Sequence, residues 1–147
     1  MRAARAGLAL VAAVQAEIGI WGLVAPHSFF NDFPGAGHHW VAALGVYNQH
    51  LVRDYAAAEL GFAVLLAGAA IWFSTRVVRI AGTALLAATL PHFIYHLTTT
   101  GSFSTADNVA SLGSFVLEIA LVAFAMVTVS QSKTESERSI DVPTARS

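Results

Sequence analysis

Tyr47-Asn48-Gln49-His50-Leu51-Val52-Arg53-Asp54-Tyr55 is the most polar stretch of a strongly apolar chain, and it leads straight into an apolar run over residues 56–73. Asn48, Gln49, His50, Arg53 and Asp54 can all donate, accept or ligate. Where a helix enters a membrane such groups must find partners, because lipid supplies none. His50 and Asp54 are four apart, so a helix places them on one side, a turn from each other. The alternative is a helix end whose polar groups reach into the headgroup layer.

The whole chain fits a membrane setting. Its 147 residues suit one domain, and 56% hydrophobic against 12% charged residues lies well outside soluble averages. Mean hydropathy is +0.62. A net charge of -1, with no basic stripe, gives nucleic acid no purchase. No cysteine is present, so disulfides and thiolate ligands are excluded and any metal would be held by His, Asp or Glu.

Apolar runs predict four spans, at about 7–25, 50–73, 77–97 and 109–129, each near the roughly 17 to 25 residues needed to cross a bilayer. The first could also be a signal peptide, with residues 8–14 as its core. Apolar character resumes past Glu17 through Ile18, Ile20, Trp21, Leu23 and Val24, which favours a span. Residues 26–47, rich in aromatics and broken by Pro34, Gly35 and Gly37, predict an interfacial loop. Pro91 predicts a bend in the third span. Residues 1–130 therefore read as the bundle, and 131–147, polar and charged, as a disordered cytoplasmic tail.

Charge sets the expected orientation. Arg2, Arg5, Arg76, Arg79, Lys133, Arg138 and Arg146 fall on one side and only Arg53 on the other. The positive-inside rule then places both termini in the cytoplasm. The expectation is all-α: an integral membrane four-helix up-and-down bundle, multi-pass in the plasma membrane.

In that topology all six histidines gather at or beyond the outer face. His92 and His96 share a helix side, as do His50 and Asp54, at matched depth on neighbouring spans. Paired ligands from facing helices are how bundles build metal sites, so His50, Asp54, His92 and His96 are candidate ligands. Asp107 is a candidate fifth ligand or orienter. Such a set suits zinc, iron, copper or manganese, and a His from each of two helices would also hold haem. Were the site catalytic, a bound ion would activate water or oxygen on a lipid-soluble substrate, as in a metal-dependent enzyme, with Arg53 binding an anionic headgroup or pairing with Asp32 or Asp107.

A second reading starts from Glu17, Glu59 and Glu118, each about nine or ten residues into its span and so near the bilayer centre at about 1.5 Å per residue. Carboxyls there are costly unless protonated, paired or ligating. They predict a proton-coupled transporter, or, in the bland version, neutral acids bonding between helices. On the fourth span Asp107, Ser111, Ser114 and Glu118 predict an inward polar stripe. Glu59, nine residues from His50 at about 100° each, falls on the opposite side of its helix. A third reading is an accessory subunit, in a homo-oligomer or a larger membrane complex. P-loop, dinucleotide, nucleophile-elbow and Glu-x-x-His patterns are all missing.

The residues 47–54, followed by Pro91-His92-Phe93-Ile94-Tyr95-His96, resemble a group of uncharacterised small four-span membrane proteins of high-GC actinobacteria. That group carries an Asn-x-His-x-x-Arg-Asp segment and a Pro-His-x-x-x-His segment at similar separation. The resemblance covers the chain except its tail. It implies a four-span membrane fold and marks His50, Arg53, Asp54, His92 and His96 as the signature, but supplies no reaction.

Overall fold

The computed structural model describes residues 1–140, with side chains described through residue 131. Among the described residues the α-helices are α1 (Arg2–Val24), α2 (Pro26–Asp32), α3 (Gln49–Trp72), α4 (Thr75–Thr98) and α5 (Thr105–Ile140). Short 3-10 turns lie at Ala42–Leu44 and Thr100–Ser102. α1, α3, α4 and the part of α5 up to Gln131 are each long and apolar enough to cross a membrane. We read the chain as a multi-pass membrane protein.

Local chemistry fixes the ends of these helices. Asn48 caps α3, its side chain accepting from the Leu51 N–H at 3.1 Å, and Ser74 caps α4 by accepting from Val77. Each cap satisfies a backbone donor that the first helical turn leaves unpaired. α3 stops at Phe73, which takes the left-handed conformation with φ 41°. The next helix begins two residues later, so α3 and α4 are forced side by side. α4 runs unbroken through Pro91. α5 continues to Ile140, past the expected start of the tail at residue 131. Residues 141–147 of that expected tail lie outside the described residues.

α1 packs on α3 and α5, and α4 packs on α3 and α5, closing a ring of four long helices. The α1–α3 seam is the tightest. A Cβ at Gly19 would lie 2.8 Å from the Leu60 backbone nitrogen, and one at Gly22 2.6 Å from the Ala56 Cβ. Small residues on α1 thus let two backbones approach closely, as membrane helices do when lipid gives no hydrophobic drive to associate. Val64, Ile71, Ile80, Ile94, Val116 and Phe124 point outward, while Ala4, Ala56, Ala69 and Ala125 are buried. Large apolar groups on the outer faces suit contact with lipid.

The bundle interior divides along its length. At the end carrying the N-terminus and the α3–α4 turn, Leu8, Val11, Leu66, Val78, Leu85, Val122 and Ala125 form a continuous apolar core. Arg5 closes that end, donating to the carbonyls of Ala70 and Ile71 and lying 5.1 Å over the Phe73 ring. Cations suit the exposed carbonyls of a helix C-terminus. Toward the opposite, loop-bearing end, the buried residues turn polar: Gln15, Glu59, Thr89, His96 and Ser111.

The segment after α1 folds back over this loop end. Phe29, 2% exposed, packs edge-on to Trp21 and beside Phe33, with Tyr55 of α3 at 6.4 Å. Phe33 in turn meets Trp40. These aromatics pack onto one another and onto the helix ends, while Val46 is left 93% exposed.

Candidate functional site: a polar cluster of side chains inside the bundle

Glu59 stands at the boundary between the two halves of the interior. Helical spacing puts it in line with Val52, Ala56, Ala63 and Leu66 on the buried face of α3. It is 8% exposed, and its Oε2 has no hydrogen-bond partner. Tyr55, one turn toward the loop end, sets its hydroxyl against the Glu59 carboxyl. Glu118 of α5 is close enough for the two acidic groups to act on each other electrostatically. Thr89 of α4 donates to Glu118 Oε1 at 2.7 Å. Neither glutamate forms a salt bridge with a cation among the described residues.

His92 and His96 lie above this group toward the loop end. Their Nε2 atoms are 3.1 Å apart, so one ring nitrogen donates to the other. The His92 ring is edge-on to Tyr55 at 6.0 Å and to Phe115 at 4.9 Å. His96 stacks on Phe103 at 5.9 Å. Tyr55, Glu59, Thr89, His92, His96 and Glu118 therefore gather proton donors and acceptors from three helices on the inner side of the bundle.

The spacing expectations divide at this point. His50 and Asp54 do pair, at 3.3 Å, but their side chains are 87% and 61% exposed and face away from the interior. His92 and His96 pair on the inward side. The single site expected from His50, Asp54, His92 and His96 is thus not assembled, and no three His, Asp or Glu among the described residues are grouped to hold a metal ion. Asp107 is engaged elsewhere. Its Oδ1 accepts from His38 Nδ1 at 2.6 Å and Trp40 Nε1 at 2.8 Å, while Oδ2 accepts from Ser104 at 2.6 Å. It orients a histidine, but His38 rather than one on a helix.

Other expected residues also sort by direction. Glu17 is exposed on the outside of α1, turned toward lipid or a partner chain, while Gln15 two residues earlier is 4% exposed. Arg53 is exposed beside Asp54. Of the stripe on α5, Ser111 is buried and Glu118 half-buried, but Ser114 is exposed and donates back to the Ser111 carbonyl. Sequence reasoning overlooked Tyr55, Thr89, Gln15 and Phe115. Tyr55 carried a usable signal: it lies four residues before Glu59, so the two must share a helix side.

No family model matches the chain, and no curated protein or solved structure is significantly similar to it.

Proposed function

We propose that the protein is a small proton-coupled membrane transporter in which Glu59 and Glu118 carry the proton. Glu59 and its unpartnered Oε2 carry this reading. A carboxylate buried in a membrane bundle needs a counter-charge, whereas a carboxylic acid needs only hydrogen-bond partners, so loss and gain of a proton there is a large electrostatic event. Nature rarely leaves such a group unpaired without a use for it. Tyr55 and Thr89 supply neutral partners, as a group cycling between two charge states requires.

The divided interior supports a carrier over an open channel. Polar groups approach Glu59 from the loop end, while Leu8, Leu66, Leu85 and Val122, all nearly or fully buried, seal the way beyond it. A proton taken up from the loop side can leave by the other side only if those helices rearrange. That is the behaviour of alternating access.

Orientation follows from charge in this proposal. Arg2, Arg5, Arg76 and Arg79 mark the sealed end as cytoplasmic and the loop end as outside, in the plasma membrane. Single cysteines at Ala36 and Gly101 should react with an impermeant thiol reagent on intact cells, and one at Ser136 should not. The reverse pattern would turn the molecule over and put the proton entry on the cytoplasmic side.

Proton movement itself is measured in vesicles loaded with a pH-sensitive dye, with a potassium gradient and valinomycin to set an inside-negative potential. With no co-substrate supplied, the assay reads the uncoupled turn of the proton-carrying cycle, and by that slip wild-type protein should acidify the lumen faster than protein-free vesicles do. Glu59→Gln should return the rate to that of the empty vesicles, and Glu118→Gln should slow it strongly. An unchanged rate in Glu59→Gln removes Glu59 from the proton path and the reading with it.

A further inference from the structure

The contacts of Asp107 do not belong to the proton-carrying group, yet they join segments 67 and 69 residues apart in the chain. Asp107 sits in the first turn of α5, held by a backbone N–H bond to Ser104 at 3.1 Å and by the Ser104 hydroxyl. That fixes the carboxyl on a rigid helix start. From there it accepts from His38 and Trp40, both on the segment that follows α2. Trp40 then continues through Phe33 and Phe29 to Tyr55, the residue against Glu59. One carboxylate thus ties down the far end of an aromatic cover whose near end rests on the polar interior.

The rest of this segment is held to itself and to α2: the Trp40 backbone N–H donates to the Phe33 carbonyl at 2.9 Å, and Tyr47 just beyond packs on His27 and Phe30. Gly35 and Gly37 adopt positive φ of 99° and 84° with nothing near their missing side chains, and Ala36 between them takes φ 54°, so this turn lies in the left-handed region that glycine favours. Gly45 is equally open, and Val46 is exposed. Among the described residues, the other side-chain hydrogen bond joining residues 36–46 to a helix is the one from the His39 ring nitrogen to the Asn31 carbonyl. It ties the segment only to its own neighbour α2. Residues 38–40 are therefore flanked by glycines on both sides, and among the described residues their side-chain hydrogen bonds to a long helix are the two accepted by Asp107.

We propose that residues 33–46 form a latched cap over the loop end of the bundle, with Asp107 as the latch and His38 and Trp40 as the parts it holds. Releasing the latch opens the polar interior next to α5 and leaves the apolar end closed. That this cap controls proton entry rests on the transport reading above. The latch itself does not.

The chain contains no cysteine, so single reporters can be placed on the native background. Ser111 lies one turn beyond Asp107 on the buried side of α5 and is 3% exposed, and Ala125 lies in the apolar end at 0%. Ser111→Cys and Ala125→Cys, in full-length protein in detergent, should both resist a small water-soluble thiol reagent. Adding Asp107→Ala should raise the Ser111→Cys reaction rate at least tenfold and leave Ala125→Cys protected. Trp40→Ala should reproduce the effect in part. The proposal is overturned if Ser111→Cys stays protected when Asp107 is removed. It is also overturned if both reporters become reactive together, since that is loosening of the whole bundle rather than release of a cap. Neither outcome depends on whether the protein moves protons.

Discussion

Gly19→Leu should leave little folded protein in detergent, whereas Gly61→Leu should melt close to wild type. Any side chain at Gly19 points at the α3 backbone: a Cβ there would be 2.8 Å from the Leu60 nitrogen and 2.9 Å from the Ala56 carbonyl oxygen. Backbone atoms cannot rotate out of the way as side chains can. Overpacking a well-filled interior ordinarily costs about 1–3 kcal/mol, and pushing two whole helices apart belongs at or beyond the upper end of that range. Gly22 doubles the constraint one turn on, since its Cβ would meet the Ala56 Cβ at 2.6 Å. Gly61 has nothing within 4 Å, so a side chain there projects into lipid or detergent. Substitutions at such open sites usually stay within about 0.5 kcal/mol. The comparison is made by thermal melts and size-exclusion profiles of both variants. Equal melting of Gly19→Leu and wild type would mean that α1 and α3 do not pack as closely as described.

The number of spans was legible because a membrane helix is written in continuous apolar runs, and four such runs stand out of this chain. The ends were less legible, since they depend on single side chains. α1 begins at Arg2, with Arg5 reaching carbonyls on another helix, and α5 starts at Thr105 because the Ser104 hydroxyl accepts from the Asp107 N–H and caps it. Hydropathy alone discards both charged residues as outside the span.

For the site, depth could be read and direction could not. His50, Asp54, His92 and His96 do lie toward the same end of the bundle. Their pairing into one centre needed both helices to turn those faces inward, and α3 does not. The missing fact was which side of α3 is buried. In soluble proteins the apolar side announces itself, but in a membrane both the lipid face and the interior are apolar. A glutamate is then the better marker. Once Glu59 is placed inside, His50, nine residues away on the opposite side, must face out. Tyr55 follows Glu59 inward by the same rule. Contacts made by Asp107 with His38 and Trp40 could not have been found this way, because they depend on how a loop folds back rather than on any periodicity.

Moving the same carboxyl two turns along α3 should reverse the sign of its effect on stability. Glu59→Leu is expected to melt at or above the wild-type temperature, and Leu66→Glu far below it. Both positions are on the buried face of α3, at 8% and 0% exposure, and seven residues separate them. Glu59 already leaves Oε2 without a partner, a situation that costs about 1–3 kcal/mol for a buried polar group. Replacing it with an apolar side chain removes that cost. What is lost is the Tyr55 contact, so part of the gain is offset, and Tyr55→Phe combined with Glu59→Leu should recover it. At Leu66 the surroundings are Leu8, Leu85 and Val122, with no hydroxyl, imidazole or second acid within the core that encloses it. A carboxyl placed there either ionises without a counter-charge or stays neutral without a hydrogen-bond partner, and it also forfeits the leucine packing. Together these come to several kcal/mol. Stabilisation by Glu59→Leu, combined with loss of proton uptake in the same variant, is what a group retained for function at the expense of stability produces. If Glu59→Leu instead unfolds the protein as severely as Leu66→Glu, the carboxyl is holding α3 to its neighbours. Glu59 would then be a structural bond between helices rather than a proton carrier.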